Sequence, residues 1–147
     1  MVAKAVSVSD LDISLLAAGT TPGLVRSLVQ FRLTEWGLLG IAGDVQLVAG
    51  ELVANAVQST PDQAIRVRFT REAAGVLLAV WDSSPEMPVA RPVVEMTLDD
   101  IAPDLRALDP GHLDGGRGLQ IVQALSSRCG VAAGQPSGKW VWARLPC

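Results

Sequence analysis

Two periodicities divide the chain. From Leu24 to Trp36 apolar residues recur at helical spacing, through Leu24, Val25, Leu28, Phe31, Leu33 and Trp36, until Gly37 and Gly40 stop them. Thr21 can cap this helix, and Pro22 suits its first turn. A second helix is predicted from Ile41 to Ser59, with Val45, Val48, Leu52 and Ala56 in one stripe and Pro61 beyond its end. The period then falls to two. Ile65–Phe69 alternates as a half-exposed strand should, and after a turn at Ala73–Gly75 the continuous apolar run Val76–Trp81 suits a central strand. These two predict a hairpin. A shorter strand, Asp12–Ala18, precedes the first helix. A third helix is predicted over Leu119–Ser127, opened by Gly115–Gly118 and burying Leu119, Ile121, Val122 and Leu125. Strands at Arg128–Ala133 and Lys139–Leu145 close the chain around the turn Gly134–Gly138.

This order, β-α-α-β-β-loop-α-β-β, predicts an α+β two-layer sandwich: a mixed, mostly antiparallel sheet with helices on one face. A single domain over residues 1–147 is expected, with its core at 12–146. Residues 83–113 hold five of the nine prolines and several acids, and read as a long loop with one helical turn near 104–108. Loops of that length inside a compact domain are usually functional.

Composition narrows the class. The chain has 147 residues, 49% hydrophobic and 18% charged, which suits one globular domain with a real core. Its net charge is −3 and it has no Lys/Arg run, so direct nucleic-acid binding is not expected. An anion would have to be met locally, by backbone N–H groups, a helix N-terminus or a metal ion. Cys129 and Cys147 make no disulfide framework, and a lone His112 offers no zinc cluster. The N-terminus lacks the apolar core of a signal peptide, and no apolar run is long enough to span a membrane. A cytoplasmic, membrane-independent protein is the expectation.

Three constellations are candidates for chemistry. Glu51 and Asn55 lie four apart in the second helix, so a carboxylate and an amide oxygen share one face of an otherwise apolar segment. Alone, that spacing also fits a solvated helix edge. Asp82 ends an apolar strand and is followed by Ser83 and Ser84. Its carboxylate can accept from an exocyclic amine where small neighbours admit a flat ring, or it can simply make an Asx turn. Asp114 and the turn Gly115, Gly116, Arg117, Gly118 lead into Leu119 and an amphipathic helix. Glycines let backbone N–H groups wrap an anion, and the helix dipole adds to them. The absence of Gly-Lys-Ser/Thr excludes a Walker loop, and no strand immediately precedes the turn as a Rossmann fingerprint requires. Trp140 and Trp142 share a strand face and suit core or partner packing better than base stacking.

In the order Glu/Asn helix, strand-end Asp, long loop and glycine turn, the chain resembles the GHKL (Bergerat-fold) ATPases, which include histidine kinases and gyrase-type proteins. It looks most like stand-alone anti-sigma-factor serine/threonine kinases of actinobacteria. The stretches Glu51–Ala56, Val80–Pro85, Gly115–Val122 and Gly138–Pro146 carry the resemblance, which runs from about Asp12 to Pro146. It implies ATP and Mg²⁺ as cofactors. Asn55 would coordinate the metal bridging the phosphates, Glu51 would be the general base, and Asp82 would accept from the adenine amine. Ser84, Gly115, Gly116, Arg117, Gly118 and Leu119 would complete the nucleotide site, with 83–113 as an ATP lid. Three positions depart from the family pattern. Ser84 stands where a glycine is common, Gln58–Thr60 follows the Asn motif where a basic residue or histidine is expected, and Lys139–Trp140 stands where a threonine is expected. These departures imply altered adenine contact and weaker nucleotide affinity. The implied partners are a sigma factor and an anti-anti-sigma antagonist of the STAS type, and the implied assembly is a homodimer. Two other readings stay open: a non-catalytic binding module, and the detached ATPase domain of a histidine kinase.

Overall fold

The computed structural model describes residues 10–85 and 115–147, with the backbone alone for 115–118. Five strands form one sheet: β1 (Leu11–Leu16), β2 (Ala64–Glu72), β3 (Gly75–Asp82), β4 (Arg128–Ala133) and β5 (Lys139–Pro146), in the spatial order β1-β2-β3-β5-β4. All four pairings are antiparallel. Helices α1 (Thr21–Trp36), α2 (Ala42–Ser59) and α3 (Gly115–Leu125) supply the second layer. This is the expected α+β sandwich.

Alternation decides which face meets the helices. Ile65, Val67 and Phe69 of β2, Val76, Leu78 and Val80 of β3, and Val141, Ala143 and Leu145 of β5 are buried in one core with the helices. Against them α2 presents Val45, Val48, Ala49, Leu52, Val53 and Ala56. Phe69 meets Trp36 at the end of α1, with ring centroids 5.0 Å apart. The outer face of the sheet carries Trp140, Trp142 and a set of charges. Arg66 and Arg68 reach Asp12 at 2.9 and 3.3 Å, and Arg144 reaches Glu72 at 2.8 Å. The guanidiniums of Arg68 and Arg144 lie over the rings of Trp140 and Trp142 at 5.4 and 5.5 Å. The hydrogen bond from Arg66 holds the Asp12 carboxyl below its usual range. Asp12 therefore contributes stability above the ordinary carboxylate pKa, and loses it as pH falls through the lower folded value. The pair is half exposed, so Asp12→Asn is expected to change the acid limb of a pH–stability curve only slightly, and less still at high salt.

Two local expectations are corrected. Thr21 is the first residue of α1 rather than its cap, which is Thr20. The Thr21 hydroxyl instead donates to the Leu16 carbonyl at 2.6 Å and accepts from the Ala18 N–H, tying the helix start to the end of β1. Leu24 and Phe31 are exposed, because Val25, Val29 and Leu33 set the buried face of α1 and leave those two well round the helix. Cys129 is half buried, and burial pushes its thiol above the ordinary range. The β2–β3 hairpin turns at Ala73–Ala74, and Gly75 faces the Leu145 backbone so closely that a Cβ would run into that carbonyl. Gly75→Ala should force β3 and β5 apart and cost about 1–3 kcal/mol in urea unfolding.

Candidate functional site

α2 carries Glu51 and Asn55 on the flank of its buried stripe, beside Val48 and Leu52. Both are half buried, and neither side chain has a hydrogen bond or ion pair among the described residues. A carboxylate and an amide held part-way out of water with no partner are positioned for a ligand at modest cost, since full burial would demand hydrogen bonds. The same helix packs against β3, which ends in Asp82, and against α3.

Asp82 is in phase with Val76, Leu78 and Val80, so alternation turns its carboxylate to the helix side, where it is 1% exposed. Oδ1 accepts the Ser84 N–H at 2.9 Å, which is the Asx turn that the sequence allowed. It also accepts from the Lys139 ammonium at 2.8 Å. Oδ2 is buried and has no partner among the described residues. An unpartnered buried acceptor is uncommon, and it is the feature a base-binding carboxylate requires. Ser84 is itself buried, and its backbone N–H is committed to Asp82.

Lys139, in sequence a departure from the family pattern, is the partner of the Asp82 carboxylate. It is cross-strand from Asp82 in the β3–β5 register and as fully buried. The signal was present in the alternation: Lys139 is in phase with Val141, Ala143 and Leu145, while Trp140, Trp142 and Arg144 face outward. Gly138 makes this delivery possible. Its φ is +79°, and a Cβ there would strike the Asp82 carbonyl and the Trp81 indole. Trp81 Nε1 donates to the Ser137 carbonyl at 3.0 Å, fastening the turn over the end of β3.

The glycines at 115, 116 and 118 form the first turn of α3 itself rather than a turn preceding a helix that begins at Leu119. Backbone N–H groups there belong to a helix N-terminus, which carries partial positive charge and unpaired donors. Leu119 is buried in the core with Val122. The Arg117 side chain, His112, the helical turn near 104–108 and all of the expected lid beyond Pro85 lie outside the described residues.

A groove of about 460 Å³ among the described residues lies on the outer face between Arg68, Leu77, Trp140 and Trp142, with the sheet between it and Asp82.

A helix-backed antiparallel sheet with a buried acceptor at a strand end and a carboxylate–amide pair on a helix suits an ATP-binding domain. The model of the histidine kinase-like ATPase domain matches residues 20–145, and the chain belongs to that family. No curated protein matches the chain. Among the described residues no helix is long and apolar enough to cross a membrane.

Domains of this kind take ATP with Mg²⁺, and the residues present suit both. Magnesium usually keeps one or two protein oxygens plus phosphates and waters. Among the described residues there is no cluster of three or more acidic, His or Cys ligands, and the single Asn55 amide is in keeping with such sparse coordination. Oδ2 of Asp82 is an acceptor of the kind an exocyclic amine needs.

Proposed function

We propose that this domain is an ATP-dependent protein serine/threonine kinase acting as an anti-sigma regulator. It binds a sigma factor and phosphorylates a serine on an anti-anti-sigma antagonist of the STAS type. The observation that carries the phosphoryl-transfer reading is the half-buried Glu51/Asn55 pair, unpartnered among the described residues, on the helix that packs against Asp82's strand. Asn55 would hold Mg²⁺, which on binding would neutralise charge on the phosphates. Glu51 accepts the proton of the attacking hydroxyl, and the N-terminus of α3 offers N–H groups to phosphate. The choice of serine acceptor, of both protein partners and of a homodimeric, cytoplasmic state rests on the resemblance to stand-alone anti-sigma kinases.

The test is label transfer from [γ-³²P]ATP with Mg²⁺ to a purified STAS protein. The kinase reading expects an acid-stable phosphoserine. Acid-labile label on a histidine-bearing partner would instead mark a detached sensor-kinase domain. A non-catalytic regulator is the second reading. One observation favours it: the Asp82 carboxylate is already paired with Lys139. Sigma-factor capture with no phosphate transferred would support that reading over the kinase.

A further inference from the structure

The carboxylate read above as the base contact is engaged by the protein's own cation. Lys139 Nζ lies 2.8 Å from Asp82 Oδ1, and the two side chains are 2% and 1% exposed. Oδ1 is shared between that ammonium and the Ser84 N–H, which leaves Oδ2 as the acceptor for an incoming amine. Oδ2 is shielded from solvent, so a base can reach it only once the atoms over it are displaced.

The two partners differ in freedom. Asp82 is held by strand pairing to β5 and by its Asx turn. Lys139 ends in a flexible four-carbon stem, and its other two N–H groups have no partner among the described residues. An ammonium and an exocyclic amine are both donors and compete for one carboxylate. Separating a buried ammonium from its carboxylate is unfavourable, and that cost is subtracted from whatever the base contributes.

We propose that Lys139 is an affinity- and specificity-setting residue that occupies the base-recognition carboxylate, so that the native domain holds nucleotides mainly by their phosphates. This rests on the reading of Asp82 as the base contact. With the carboxylate engaged, adenine gains little over guanine. With Lys139 shortened to a hydroxyl, Asp82 keeps its Ser84 bond and becomes open to an amine.

Calorimetry with Mg²⁺ and ATP, GTP or tripolyphosphate tests this on the wild type, Lys139→Thr and Lys139→Met, with circular dichroism selecting the variants that fold. The wild type is expected to bind ATP and GTP within about threefold of each other. A folded Lys139 variant should bind ATP about tenfold or more tighter while its GTP and tripolyphosphate affinities stay within about threefold of wild type. A wild type that already prefers ATP over GTP by more than about tenfold overturns the proposal without any variant. So does a folded Lys139 variant that binds ATP no tighter. Both results leave the ATP site itself standing. If neither the wild type nor the variants bind any nucleotide or tripolyphosphate at millimolar concentration, the ATP-site reading fails and the role of Lys139 falls with it.

Discussion

Glu51→Gln is expected to slow phosphoryl transfer by about 10²–10⁴-fold, the usual contribution of a positioned general base, while nucleotide affinity stays near wild type. The substitution keeps the size and polarity of the side chain and removes its ability to take a proton. Glu51 has no hydrogen bond or ion pair to lose among the described residues, and its place on the flank of α2 is half solvated, so the fold should be unaffected. Asn55→Ala provides the contrast. It removes the proposed metal ligand four residues on, and should lower Mg²⁺-dependent nucleotide binding as well as transfer. Single-turnover label transfer beside calorimetry separates the two. If Glu51→Gln transfers phosphate at the wild-type rate, Glu51 is not the base. If it loses binding and transfer together, Glu51 acts on the ground state instead.

Much of this arrangement was legible in the sequence, for identifiable reasons. The alternation of Ile65, Val67 and Phe69 and the apolar run Val76–Val80 report a one-sided and a central strand directly, because side chains alternate between faces with no intermediate. The helix α1 was less readable. Apolar residues nearly encircle it, so the spacing fits more than one stripe, and only packing selects Val25, Val29 and Leu33 over Leu24 and Phe31. Thr21 was misplaced by one position because a hydroxyl before a helix suits a cap and a tie to the preceding strand equally well. Spacing puts Glu51 and Asn55 on one helix face, but equally fits a solvated edge, and their lack of partners among the described residues needed the fold. The Asp82–Lys139 pair depends on a strand register 57 residues apart in sequence, fixed by a turn with a left-handed glycine. Local propensity carries no information about which lysine meets which aspartate.

That pair gives the largest expected effect on stability. Asp82→Ala strands a fully buried ammonium and removes the acceptor of the Ser84 N–H, and breaking a buried ion pair from one side typically costs about 3–5 kcal/mol. Urea unfolding should show a lower midpoint with little change in slope. Converting both members, as in Asp82→Ala with Lys139→Met, should recover most of the loss, because an apolar pair leaves no charge unmatched. A single substitution costing under about 1 kcal/mol, or a double variant no better than Asp82→Ala, would show the ammonium escaping to water. Asp82→Asn then separates folding from recognition. Its amide oxygen can still accept from both Ser84 and Lys139, so stability should fall far less than with alanine. Its NH₂ group, however, puts a donor where Oδ2 was an acceptor, and an adenine amine meeting it is opposed donor to donor. A well-folded Asp82→Asn protein should therefore gain nothing from Lys139→Thr, whereas the same change beside an intact Asp82 tightens ATP binding. If Lys139→Thr tightens ATP binding equally in both backgrounds, the gain comes from cavity space rather than from a carboxylate set free.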